Sequence, residues 1–132
     1  MNKEIQNIIE RISEQDTRYK EDAYAFVMEA LNYTQKKCKS SKHVKGGELL
    51  ESMKELLIQR FGLMTMTVLD HWGIKETADF GHIVFNLIDN NVLSKTDEDN
   101  LDEFMNYFDF EEVFDRDYRK RLAKKISRMR SF

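Results

Sequence analysis

The sequence predicts a mainly α-helical, single compact domain, and three observations carry that expectation. The chain of 132 residues has no proline and only five glycines, which suits long uninterrupted helices and suits a turn-rich β fold poorly. Apolar residues recur at i, i+3, i+4 and i+7 through most of its length. A hydrophobic content of 41 % with nine phenylalanines supports a buried core despite 34 % charged residues. A chain of this size buries about two thirds of the surface it exposes when unfolded. About six to seven helices are expected in one domain. It comprises an N-terminal amphipathic helix (1–15), a helical body (16–115) and a basic C-terminal helix or tail (116–132).

Ile5, Ile8, Ile9 and Ile12 place one apolar stripe on a helix of about residues 2–14. So short a helix is marginal alone in water, so the stripe must dock on the body or on another chain. Asp16 or Thr17 is the candidate N-cap of a second helix, with the stripe Tyr19, Ala23, Phe26, Val27, Ala30 and Leu31. Gly46-Gly47 breaks the pattern, and a third helix starts near Glu48 with Leu49, Leu50, Met53, Leu56, Leu57 and Phe61 inward. Gly62 ends it. Met64, Val68, Leu69 and Trp72 make a fourth helix, closed by Gly73. Thr77 is the candidate N-cap of a fifth, whose wide apolar face is Phe80, Ile83, Val84, Leu87 and Ile88 and whose left-handed stop is Asn90-Asn91.

Residues 48–90 therefore read as a helix-turn-helix-like core. Its expected centre is Phe26, Val27, Leu49, Leu56, Leu69, Trp72, Ile83, Val84 and Leu87. Gly81 interrupts the fifth helix, where glycine costs about 1 kcal/mol relative to alanine. Close approach of a neighbouring helix, or of a ring such as Trp72, is the expected reason. In residues 92–115 the acids Asp97, Glu98, Asp99, Asp102 and Glu103 interleave with Phe104, Tyr107, Phe108, Phe110 and Phe114. The first reading is a short helix from Asp99 or Asn100 and another from Asp109. The alternative is a β-hairpin pairing Val92–Thr96 with Phe104–Phe108, which makes the fold winged-helix-like (92–108).

Charge is divided along the chain. From Arg116 onward there are eight Lys or Arg against the single acid Asp117, a net charge of +7. Residues 1–115 carry 13 basic against 23 acidic side chains, a net charge of −10. Such a split speaks to partners rather than to fold. The tail sets Phe114, Tyr118, Leu122, Ile126 and Met129 on one stripe, with Arg119, Lys120, Arg121, Lys124, Lys125, Arg128 and Arg130 around the rest. A basic amphipathic helix of this kind suits anionic lipid, nucleic-acid phosphates or a partner's groove. The plainer reading folds it back on its own acids Glu98, Asp102, Glu103, Glu111 and Glu112. A second basic cluster is Lys36, Lys37, Lys39, Lys42 and Lys45.

The strings Tyr19 with Ala23-Tyr24-Ala25-Phe26-Val27, His43-Val44-Lys45-Gly46, Glu48-Leu49-Leu50, Phe61-Gly62, Trp72-Gly73-Ile74, Asp79-Phe80-Gly81-His82-Ile83-Val84-Phe85 and Phe108-Asp109-Phe110-Glu111-Glu112-Val113-Phe114 resemble a family of small bacterial proteins of unassigned activity. The likeness covers about residues 17–115 and implies a bacterial cytoplasmic protein. Cys38 stands alone, so no internal disulfide forms, which also points to a reduced, cytoplasmic setting. No apolar run approaches the ~20 residues of a membrane span, and no leader pattern opens the chain.

Candidate chemistry is sparse. His43, His71 and His82 are the only histidines, and Asp79 and His82 stand one helical turn apart. A carboxylate-bundle metal site needs further ligands at matching spacing, so no metal and no cofactor are expected. Cys38 among lysines has the surroundings that activate a thiol but no positioned base. The loop His43–Gly47 precedes a helix and could hold an anion, yet lacks phosphate-loop spacing. His43, Trp72, Asp79, Gly81 and His82 are candidates for a pocket or for packing. The helix in the DNA-reading position begins Glu76-Thr77-Ala78-Asp79-Phe80, acidic and apolar, which disfavours sequence-specific DNA binding. The expected function is a non-enzymatic protein-interaction or adaptor module, using the isoleucine stripe or the aromatic-acidic face. The alternative is RNA or ribosome association through the tail and the Lys36–Lys45 cluster. An enzyme with a pocket at Trp72 and His82 comes last.

Overall fold

The Asn2 side chain starts the first helix by accepting the Glu4 amide at 2.8 Å. This helix, α1 (Lys3–Gln15), turns its isoleucines inward: Ile9 and Ile12 are buried, with Ile5 and Ile8 packed beside them. The structure, a computed structural model, describes residues 2–37, 44–94 and 100–129. Because α1 packs on α2 (Glu21–Lys37) and on α5 (Thr77–Asp89), its stripe belongs to this chain's own core. It is not a free face for another protein.

Asp16 and Thr17 do not cap α2, which starts at Glu21. Asp16 instead closes α1 and accepts hydrogen bonds from the Arg18 amide at 3.2 Å and the Arg18 guanidinium at 2.9 and 2.7 Å. A short acidic side chain that bonds its own local backbone holds a turn in competition with a helix start. The third helix, α3 (Gly46–Phe61), begins earlier than expected. Glu48 reaches back to the Lys45 amide at 3.2 Å, and Glu103 receives the Gly46 amide at 3.3 Å.

A 3₁₀ turn, Gly62–Met64, leads to α4 (Thr65–Trp72). Gly73 ends α4 at φ 87°, where an added Cβ would fall 2.0 Å from the Arg18 carbonyl oxygen. Only glycine fits a left-handed residue pressed so closely by backbone. Thr77 is the first residue of α5, not its cap. Asp79 takes the Lys75 and Glu76 amides at 2.8 and 3.1 Å. The Thr77 hydroxyl is thereby left to donate to the Phe104 carbonyl at 2.6 Å and accept from the Tyr107 amide at 3.1 Å. Asn91, at φ 60°, supplies the left-handed stop after α5.

Among the described residues there is no strand. Val92, Leu93 and Ser94 form none, Lys95 and Thr96 lie outside the described residues, and Phe104 belongs to a second 3₁₀ turn, Leu101–Phe104. Asn100 caps that turn by accepting the Asp102 amide at 2.9 Å. Asp109 accepts the Glu112 amide at 3.1 Å and opens a π-helical segment, Glu112–Asp117, that continues into α6 (Tyr118–Met129).

One hydrophobic cluster unites α1 to α5, the Leu101–Phe104 turn and the π-helical segment, and α6 adds no buried residue to it. A run of rings crosses it: Phe61 to Trp72 (6.0 Å between centroids), Trp72 to Phe26 (5.4 Å), Phe26 to Phe80 (6.5 Å), Phe80 to Phe110 (6.2 Å) and Phe110 to Phe114 (5.5 Å). Phe104, Phe110 and Phe114 are therefore core, not an aromatic-acidic docking face; of that stretch Met105 and Tyr107 are the exposed large apolar side chains. The expected core residues are buried except Val84, which is half-buried beside an apolar cavity of about 410 Å³ between α2, α3 and α5. α5 packs against α1, α2 and the Leu101–Phe104 turn.

Candidate interaction surface

The stripe of the basic tail docks over its first half only. Phe114 is 1 % exposed, Tyr118 and Leu122 are half-buried, and Ile126 and Met129 are 48 % and 61 % exposed. The Tyr118 hydroxyl lies over Gly62, where a Cβ would come within 3.1 Å of it. α6 thus leans on the Gly62–Met64 turn, whose Leu63 and Met64 are exposed, as is Met66 in α4.

Its charges are only partly answered. Arg116 pairs with Asp109 at 3.5 Å, and Arg119 pairs with Asp115 one turn away. Among the described residues Lys120, Arg121, Lys124, Lys125 and Arg128 form no ion pair, and Asp102, Glu103, Glu111 and Glu112 do not fold against them. Glu103 is turned instead to the Gly46 amide. Glu98 and Arg130, the remaining members of that comparison, lie outside the described residues.

An open groove of about 740 Å³ separates α6 from α3. Ile58 and Val113 give it an aliphatic lining, and Lys54, Lys120, Arg121 and Lys124 carry its positive charge against Glu55 and Asp117. Lys54 is held in place by Glu51 at 2.8 Å and by the Phe108 ring, 5.8 Å from its Nζ. Glu55 is paired with Lys37 at 3.0 Å, so the end of α2 meets the same region. Lys36 is exposed beside Lys37, and Lys45 is exposed at the start of α3, while Lys39 and Lys42 lie outside the described residues. Sequence reading missed Lys54, because it is a single lysine among Glu48, Glu51 and Glu55 on the polar face of α3 and nothing there singles it out. No family model, curated protein or solved structure matches this chain.

The other candidates are placed differently. Trp72 is packed between Phe26 and Phe61. Gly81 is pressed by Leu101 and Phe104. Asp79, besides capping α5, accepts the Tyr19 hydroxyl at 2.5 Å. One turn along α5, His82 is half-buried, and His71 is exposed in the last turn of α4. His43 and Cys38 lie outside the described residues, as does part of the glycine loop. The Lys45 and Gly46 amides of that loop are taken by carboxylates. Among the described residues no group of three His, Cys, Asp or Glu is arranged to hold a metal ion, and no helix is long and apolar enough to cross a membrane.

A polar network fastens α5 to the α1–α2 corner. Asn86 donates to Asp16 at 2.9 Å and to the Tyr24 hydroxyl at 3.0 Å. The Arg18 hydrogen bonds hold the Asp16 carboxyl well below the usual carboxylate range, with Asn86 assisting. Burial pushes the Tyr19 phenol up, and its hydrogen bond to Asp79 adds to that; burial raises Tyr24 as well. These groups are matched to one another, which is the arrangement of a structural lock rather than of a reactive centre.

Proposed function

We propose that the protein is a non-enzymatic interaction module of the bacterial cytoplasm that engages another protein through α6. The observation that carries this reading is the state of α6 itself: five cations without an ion pair among the described residues, beside Ile126 and Met129 left in water. A charged helix that stabilised only its own body would spend those groups on it. Apolar side chains exposed next to unpaired charge mark a surface that a partner covers.

The same cations favour a second reading, association with RNA or the ribosome. Phosphate contacts through Lys120, Arg121, Lys124, Lys125 and Arg128, joined by Lys36 at the end of α2, would give steeply salt-dependent binding. Sequence-specific DNA binding is disfavoured, because α5 starts acidic.

The test is affinity capture from lysate with the full chain and with a chain cut after Asp115, at low and high salt, with and without nuclease. Phe114, the last fully buried residue of this region, is retained by the cut, so the body should still melt cooperatively. A nuclease-resistant partner that disappears with α6 is the expected result. Loss of all capture on nuclease treatment selects the RNA reading, and retention of every partner by the cut chain removes α6 from both.

A further inference from the structure

We infer that the groove between α3 and α6 receives an acidic amphipathic helix of the partner protein; this rests on the interaction-module reading and names the partner's chemistry. The first argument is charge. Of the groove's acids, Glu55 is already neutralised by Lys37, and of its bases only Lys54 is paired, with Glu51. Lys120, Arg121 and Lys124, set against the remaining acid Asp117, therefore still present an excess of positive charge to whatever enters. Like charges held this close on one wall repel one another until carboxylates come between them.

The second argument is the lining between the charged walls. Ile58 and Val113 are aliphatic, so the occupant brings apolar side chains as well as acids. Single-stranded nucleic acid is bound by stacking bases on exposed rings. No aromatic side chain lines this groove, and the rings Phe108, Phe110 and Phe114 pack against each other in tilted and edge-on pairs. The third argument is shape. Asp117 to Lys124 spans about 10 Å of helix, two turns, facing about 8 Å of α3 from Lys54 to Gln59. An open trough between two helices is the form in which a third amphipathic helix is accepted.

The experiment uses the full chain and three probes labelled with fluorescein. One is a helical peptide with Glu on one face and Leu on the other, one is the same peptide with Lys for Glu, and one is single-stranded oligouridylate. Fluorescence anisotropy should show binding of the acidic peptide, weakening as salt is raised, and none of the basic peptide. Combining Lys120→Glu, Arg121→Glu and Lys124→Glu should weaken it about tenfold or more. An equal charge change at Lys3→Glu, Arg11→Glu and Lys75→Glu should leave it within about twofold. Methyl resonances of Ile58 and Val113 should move during the titration in the unsubstituted protein, while those of buried Ile9 and Ile12 stay, a readout that does not depend on any variant folding. The inference is overturned if the acidic peptide does not bind, if those two methyl groups do not respond, or if oligouridylate binds in its place and moves them. Should the peptide fail while removal of α6 still abolishes nuclease-resistant capture, the groove falls and the interaction module stands. Should removal of α6 change nothing, the broader reading falls as well.

Discussion

At Gly81 a single hydrogen atom sets how closely α5 and the Leu101–Phe104 turn can approach. A Cβ there would lie 2.8 Å from Leu101 Cδ1 and equally close to Phe104 Cβ and Cγ. The leucine tip can move aside; the first side-chain carbon of a buried phenylalanine cannot. Gly81→Leu should therefore lower stability by about 1–3 kcal/mol through overpacking, outweighing the roughly 1 kcal/mol that a better helix former contributes. Urea titration checks it, and a higher midpoint would show that the contact is not tight. The sequence marked Gly81, because glycine within a helical pattern needs a reason. It did not identify the ring, since Phe104 is far along the chain and lies in a stretch read first as helix, with a hairpin as the alternative. Thr77 and Asp79 teach the same lesson about caps. Either could start α5 by type, and only the carbonyl of Phe104, waiting for a hydroxyl, decides which one does.

Phe110, Phe114, Tyr118, Leu122 and Ile126 recur every four residues, and that spacing explains how α6 is built. An α-helix has 3.6 residues per turn, so each four-residue step overshoots by about 40° and the stripe winds off its face. The wider π turns of Glu112–Asp117 absorb that overshoot, which keeps Phe114 and Tyr118 on the body. Beyond Asp117 the helix is regular, the overshoot resumes, and Ile126 and Met129 swing out. Deleting Arg116, which is exposed in the π segment, should let the helix relax to α geometry and leave thermal unfolding within a few degrees of the parent. Deleting Met28 from the middle of α2 should instead rotate Ala30 and Thr34 by about 100° out of the core and abolish cooperative unfolding. Circular dichroism melts distinguish the two. The periodic stripes of the six α-helices among the described residues were legible in the sequence. The half-docked state of the last one was not, because the same stripe describes a helix fully seated and one that leaves.

For the whole molecule, pH acts through the network at the α1–α2 corner. The Asp16 carboxyl titrates below its ordinary 3.8 in the folded state, so the stability it adds is complete above that value and is lost as pH falls from there. Tyr19 and Tyr24 titrate above their ordinary 10.0, so their contribution is complete below pH 10 and is lost as pH rises past it. Stability should therefore plateau between those limits; Asp16→Asn should flatten the acid limb and Tyr24→Phe the alkaline one, read as denaturation midpoint against pH. The division of charge along the chain was plain in the sequence, but not that Asp102, Glu103, Glu111 and Glu112 would leave Lys120, Arg121, Lys124, Lys125 and Arg128 without an ion pair among the described residues; Glu103 is taken by the Gly46 amide instead. That division has a kinetic meaning. A molecule with its positive end on a projecting helix and its negative charge elsewhere is turned by the field of an acidic partner before the two touch. The effect reaches about 8 Å at physiological ionic strength. Charge changes on α6 should then act first on how often encounters succeed, and hydrophobic changes in the groove on how long each complex lasts.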